Sequence, residues 1–318
     1  MNHRSLLALA IAAAGCATPT APAPTAPATA PTTTAPPPTA TAPAPAATAP
    51  APAPTADAAP FTVQVTGHGP PVIFIPGLSS PGSVWDQAVA HLSARHTCYV
   101  FTLAGFAGVP PLPGPAFLTV ERDAILAYLR AHKLERPLVV GHSLGGFLAY
   151  WIAVRAPGEI RGVLAVDGVP FMPALGDPAA TAASAEPLAA QLRDGLSALD
   201  HAQFVRQTRA ALQAMITRPA DVDRVAADGE RSDPRTVSRA VYDLMTTDLR
   251  RELAGVRVPV WLVLAGDAPG MRAAYEAQVA AAPDHRVVVA AQARHFVMLD
   301  DPGLMHATLD ELLARVAP

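Results

Sequence analysis

An α/β fold, with a mostly parallel sheet covered by helices, is what this sequence predicts, and two observations carry the prediction. Short runs rich in β-branched and aromatic residues recur from Phe61 onward, most of them apolar on both faces, and stretches of helix length separate them. A strand buried on both faces belongs inside a parallel sheet, whereas a half-solvated antiparallel strand alternates apolar and polar residues.

Taken in order, the strands are expected at Phe61-Thr62-Val63-Gln64-Val65, Val72-Ile73-Phe74-Ile75, Cys98-Tyr99-Val100-Phe101 and Leu138-Val139-Val140, then Val163-Leu164-Ala165-Val166, Val260-Trp261-Leu262-Val263-Leu264 and Val287-Val288-Val289. Apolar residues spaced by three and four predict helices over Val84 to Ser93, Val120 to His132, Leu144 to Arg155, Arg272 to Ala282 and Leu304 to Val316. The alternation stops between Val166 and Val260. From Phe171 to Leu253 only helical periodicity remains, as at Leu192, Leu196 and Leu199, then Phe204, Leu212 and Met215. Ligands of open α/β sheets bind at the carboxyl ends of the strands, so a helical insertion leaving one such end is expected to lie over the site as a cap, about 171–253.

Composition divides the chain of 318 residues before Phe61. Residues 17–60 hold 14 of the 35 prolines and one charge, Asp57, so they cannot build a core and are expected to be a disordered Ala/Pro/Thr tether. The domain is therefore expected over 61–318, a size that suits one core. Residues 1–16 read as an export signal: Arg4 precedes a short apolar stretch, Leu6 to Ile11, well below the roughly 20 residues that span a bilayer. Ala13-Ala14-Gly15-Cys16 resembles a bacterial lipoprotein cleavage box, which implies lipidation of Cys16, with Ala13 where a leucine is usual. The expected location is the bacterial cell envelope or periplasm, with ordinary secretion as the alternative. A net charge of -3 with scattered arginines gives no footprint for nucleic acid, and two cysteines in unlike settings, Cys16 and Cys98, give no disulfide framework. A membrane partner is expected only through Cys16.

The chemistry is carried by Leu138-Val139-Val140-Gly141-His142-Ser143-Leu144-Gly145-Gly146-Phe147, a strand pattern, a Gly-x-Ser-x-Gly pentapeptide and a helix pattern. A strand-to-helix turn this sharp has no room for side chains two residues either side of the serine. Ser143 is the candidate nucleophile. A serine hydroxyl needs a base that is itself oriented by an acid. His295, on the loop between the last strand and the last helix, is the candidate base. Two aspartates satisfy the order serine, acid, histidine: Asp267 after the penultimate strand is favoured, and Asp167 after Val166 is the alternative. Backbone N–H groups of Leu144 and of Leu78, in Pro76-Gly77-Leu78-Ser79, are the candidate oxyanion donors. Trp85, Phe106, Phe147 and Phe171 are close in sequence to these loops and are the candidates for lining a pocket. There is no metal-binding spacing and no dinucleotide glycine loop, so no cofactor or metal is expected.

Together these residues resemble the α/β-hydrolase superfamily over essentially Phe61 to Pro318. Leu103-Ala104-Gly105-Phe106-Ala107-Gly108 and Val166-Asp167-Gly168-Val169-Pro170-Phe171 are similar to a bacterial subgroup of cap-bearing hydrolases. The resemblance implies an esterase, lipase or lactonase acting on a small ester, lactone or amide through an acyl-enzyme. It implies the α/β-hydrolase fold as well. Three positions depart from the family pattern: Pro76-Gly77 where His-Gly is frequent, Thr102 where an aspartate is frequent, and Pro269 where the acid usually lies, so that Asp267 fits only with a shortened loop. A surface binding protein on the same scaffold, and an acyltransferase, are the competing functions.

Overall fold

The runs that are apolar on both faces form the middle of a sheet whose two faces are both covered. The computed structural model describes residues 60–266 and 271–317. The expected leader, the tract up to residue 59, Cys16 and Asp267 lie outside those residues.

Seven strands pair in the order β1-β3-β2-β4-β5-β6-β7. They are β1 Phe61–Gly67, β2 Pro71–Ile75, β3 Thr97–Leu103, β4 Leu138–His142, β5 Gly162–Val166, β6 Val260–Ala265 and β7 His285–Ala290. All neighbours are parallel except β1 and β3, which run antiparallel from the pair Phe61 and Leu103 to the pair Gly67 and Thr97. Each of the seven expected runs is a strand. Because side chains alternate across a strand, the central strands serve two cores at once. Ile73, Ile75, Val139 and Ala165 enter one core with Phe147 and Ile152. Val72, Phe74, Val140 and Leu164 enter the other with Trp85 and Leu309. Burying a side chain of this size contributes about 1.5–3 kcal/mol, which is why these strands tolerate almost no polar residue.

The flanking helices are α1 Asp86–Leu92, α2 Phe117–Ala131, α3 Leu144–Arg155, α8 Met271–Val279, α9 Val297–Asp300 and α10 Pro302–Arg315. Helix α3 is central, with ten of its twelve residues buried. Its periodicity is consequently weak, since every face packs against something. The expected helix over Val84 to Ser93 is split: Gly82–Trp85 is a 3-10 turn and α1 begins at Asp86.

Between β5 and β6 lie four helices, α4 Ala182–Ser197, α5 His201–Met215, α6 Pro219–Gly229 and α7 Pro234–Thr246, bracketed by 3-10 turns at Met172–Leu175 and Glu252–Gly255. Their ends are set locally. Thr181 with Ser184, and Asp200 with Gln203, form reciprocal capping boxes, and Asp233 caps α7. Proline opens α6 and α7, where the missing N–H costs nothing. A small core of Ala189, Leu192, Leu196, Val241 and Met245 joins α4 to α7. The insertion is fastened to the sheet domain by polar contacts: Leu118 N–H donates to the Asp243 carboxylate at 2.9 Å, Asp233 N–H to Gly105 C=O at 2.7 Å, and Phe296 N–H to Met215 C=O at 3.3 Å.

Candidate active site

At the end of β4 the backbone turns through Ser143 into α3 with φ 53° and ψ −114° at the serine. That positive φ is uncommon for a residue with a side chain and stores strain at the turn. The turn holds because Ser143 N–H donates to Val166 C=O at 2.9 Å and Ser143 C=O accepts from Phe147 N–H at 3.0 Å. Two glycines make room for it. A Cβ on Gly141 would lie 2.0 Å from the Gly145 carbonyl oxygen, and one on Gly145 would lie 2.2 Å from the Ile75 carbonyl oxygen. The hydroxyl of Ser143 is thereby lifted to the carboxyl edge of the sheet.

His295 reaches the same place from the loop after β7. Its Nδ1–H donates to Asp167 Oδ2 at 2.6 Å, and both residues are 6% exposed. Asp167 directly follows β5 with φ 47°. Its N–H donates to Val263 C=O at 2.7 Å and its Oδ1 accepts from Ala265 N–H at 3.2 Å, so the carboxylate is tied across the neighbouring strand β6. The sequence favours Asp267 as the acid, whereas the partner bonded to His295 is Asp167, the alternative; Asp267 lies outside the described residues. The physical reason for the pairing is the left-handed turn at Asp167, which carries its side chain past β6 to the β7 loop. With Nδ1–H engaged, the lone pair of the neutral ring is on Nε2, the atom a general base needs.

His142, the residue before Ser143, is the functional neighbour that sequence reasoning misses. Its ring lies 4.6 Å from that of His295 and 4.5 Å from that of Phe296, and its Nε2–H donates to the His295 backbone carbonyl at 3.1 Å. Burial, and secondarily His295, hold it well below the usual histidine range, so it is a neutral prop for the His295 loop. Only its place inside the pentapeptide could have drawn attention to it.

Leu144 is the first residue of α3, where amides have no acceptor within the helix, and the positive end of the helix dipole faces the turn. Leu78 follows β2 and shares the cavity with Ser143. The loop carrying Leu78 is anchored by Thr102, whose hydroxyl accepts the Gly82 N–H at 2.9 Å.

Above these groups is a cavity of about 90 Å³. Leu78, Ser79, Ser143 and His295 line it from the sheet domain, and Leu196, Phe204, Leu212, Met215, Val241 and Leu244 line it from the insertion. The insertion is therefore a cap. The four aromatic residues expected to line the pocket do not: Trp85 packs on Phe74, Phe106 on Phe117, Phe147 on Trp151, and Phe171 under the Arg250 guanidinium, all at most 1% exposed. Nearness in sequence to a site loop does not bring them into the cavity, because hydrophobic cores claim large rings first. Among the described residues no group of His, Cys, Asp or Glu is arranged to hold a metal ion.

The profile of the alpha/beta hydrolase family matches residues 72–308, from β2 into the last helix. The chain belongs to the alpha/beta hydrolase family. A pimeloyl-[acyl-carrier protein] methyl ester esterase of Chromobacterium violaceum is 31% identical over 104 residues, 33% of this chain, and the match spans only 39% of that enzyme. Among solved structures, a hydrolase from Pseudomonas aeruginosa PA01 superimposes with a TM-score of 0.69 at 19% identity, covering 81% of this chain and 96% of its own. The enol-lactonase from Burkholderia xenovorans LB400 gives 0.67 at 18% identity, covering 80% and 96%. At such identities these structures share the fold with this chain.

Proposed function

We propose that this chain is a serine hydrolase that cleaves a carboxylic ester or lactone through an acyl-enzyme. The observation that carries the proposal is the buried Asp167–His295 pair, whose histidine lines the same capped cavity as Ser143. In the proposed reaction His295 Nε2 takes the proton of Ser143 as Oγ attacks the substrate carbonyl. Asp167 keeps the ring oriented and stabilises the imidazolium that forms. Backbone N–H groups of Leu78 and Leu144 hold the oxyanion. The tetrahedral intermediate collapses by breaking the bond to the leaving oxygen, which receives the proton from His295. Water, deprotonated by the same imidazole, then releases the acid and restores Ser143. The names of the relatives, a methyl ester esterase and an enol-lactonase among them, agree with an ester-type substrate. The same proposal places the enzyme in the cell envelope, tethered through Cys16; the apolar stretch before Cys16 and the proline-rich tract after it support that location.

A panel of p-nitrophenyl esters of two to eight acyl carbons, together with simple lactones, tests the activity. Turnover of at least one member that falls more than about a thousandfold in Ser143→Ala is the expected result. A wild-type protein inert towards the whole panel, or one whose turnover survives Ser143→Ala, would overturn the proposal.

A further inference from the structure

The cavity over Ser143 is apolar on its cap side except at two neighbouring positions. Gln207 and Thr208, in the middle of α5, line it beside Phe204 and Leu212. Neither side chain hydrogen-bonds to another described residue. Both residues are half-buried, so an amide and a hydroxyl bordering this apolar space keep contact with water, and a bound molecule that hydrogen-bonds to them takes the place of that water.

Charge limits what that molecule can be. No Lys, Arg, Asp or Glu lines the cavity. Its titratable side chains are His142, held neutral by burial and by His295, and His295 itself, already bonded to the Asp167 carboxylate. A carboxylate brought into this space would be stripped of water, meet no cation and face the charge of Asp167 from behind the imidazole. Volume limits it further, since about 90 Å³ holds roughly six to nine water-sized groups. On the reading of Ser143 as nucleophile, the enclosed space must retain the acyl group, which stays bonded to the serine after the alcohol has left.

We infer that the acyl group accepted by this enzyme is short and uncharged and carries a carbonyl, amide or hydroxyl group that hydrogen-bonds to Gln207, with Thr208 as the second contact. Gln207 is thus the specificity-determining residue of the cap.

The test compares kcat/KM for three p-nitrophenyl esters of nearly equal size: pentanoate, 4-oxopentanoate and the monoester of succinate. Wild type is expected to favour 4-oxopentanoate over pentanoate by about tenfold, the worth of one hydrogen bond. It is expected to discriminate against the succinate monoester by about a hundredfold or more. Gln207→Leu should bring the 4-oxopentanoate to pentanoate ratio close to one, and Thr208→Val should lower it less. A wild-type ratio near one, a preference for the succinate ester, or a ratio unmoved in Gln207→Leu would overturn the inference; should that variant not fold, the wild-type ratios decide alone. Labelling of wild type by a fluorophosphonate separates the two failures: a labelled enzyme with the wrong ratios defeats this inference, and an unlabelled one defeats the serine-hydrolase reading beneath it.

Discussion

Replacing Asp167 by asparagine puts a hydrogen-bond donor where His295 needs an acceptor. In the native site Asp167 Oδ2 accepts the His295 Nδ1–H at 2.6 Å and Oδ1 accepts the Ala265 N–H at 3.2 Å. Asparagine can keep the second bond through its carbonyl oxygen, which turns its NH2 group towards Nδ1. The imidazole then shifts its proton to Nε2, and the base has no lone pair left for Ser143. Removal of the acid by this substitution in a Ser-His-Asp site costs on the order of 10⁴ in kcat, about 5.4 kcal/mol of transition-state stabilisation. The fold should survive, because asparagine is among the few residues that accept a positive φ, here 47°. Steady-state kinetics on the best ester of the panel, with thermal unfolding as a control, compare Asp167→Asn with Asp267→Asn. The expected result is a loss of roughly a thousandfold or more in kcat for the first, with little change in Tm, and a loss below about tenfold for the second. An Asp167→Asn enzyme within tenfold of wild type, or an Asp267→Asn enzyme as damaged as its counterpart, would refute the assignment of the acid.

Other parts of the account are open to equally direct tests. Gly145→Ala would press a Cβ to within 2.2 Å of the Ile75 carbonyl oxygen, so β2 and α3 must move apart; a stability loss of about 3 kcal/mol or more is expected in urea denaturation. Glu121 is fully buried on α2, accepts the Ala104 N–H at 2.9 Å with one oxygen and has no partner for the other. Burial pushes its carboxyl up to about 8 from 4.5, so between these values the folded protein holds a proton that the unfolded chain has released. Stability contributed by the protonated group is therefore complete below about pH 4.5 and is lost as pH rises to about 8, a few kcal/mol in all. Comparing Tm at pH 5 and pH 8 should show this decline diminished in Glu121→Gln, which imitates the protonated form; an unchanged decline would contradict it. Metabolic labelling with palmitate should mark the wild-type chain and not Cys16→Ser if the leader is processed as proposed, and an unlabelled wild type would leave simple secretion as the route.

The strands and the nucleophile turn were legible in the sequence because their causes are local. A run such as Val260 to Leu264 has one stable home, between two neighbours in a sheet covered on both faces, and Gly141 and Gly145 announce a close approach wherever they flank a serine after such a run. The antiparallel edge strand β1 is different. Phe61 to Val65 reads as a strand, yet its direction follows from its pairing with β3, far along the chain. The acid was ambiguous for the same reason. Asp167 and Asp267 both follow strands and both precede His295, and the choice depends on the side-chain direction created by one left-handed residue. In the cap, the stripe Leu196, Phe204, Leu212 and Met215 was visible as helical periodicity. That it lines a cavity over Ser143 depends on how α4 and α5 pack across the sheet edge, and no local pattern encodes that. The aromatic candidates Trp85, Phe106, Phe147 and Phe171 mark the limit of arguing from sequence proximity, since each is claimed by a core.

The central claim is that the strained turn at Ser143 presents a hydroxyl activated by His295. Incubation with a fluorophosphonate, followed by tryptic mass spectrometry, measures this without any choice of substrate. The account predicts a single adduct on Ser143, formed rapidly by wild type and at least a hundredfold more slowly by His295→Ala. A folded wild-type protein that forms no adduct, or that labels at Ser143 equally fast without His295, would contradict it.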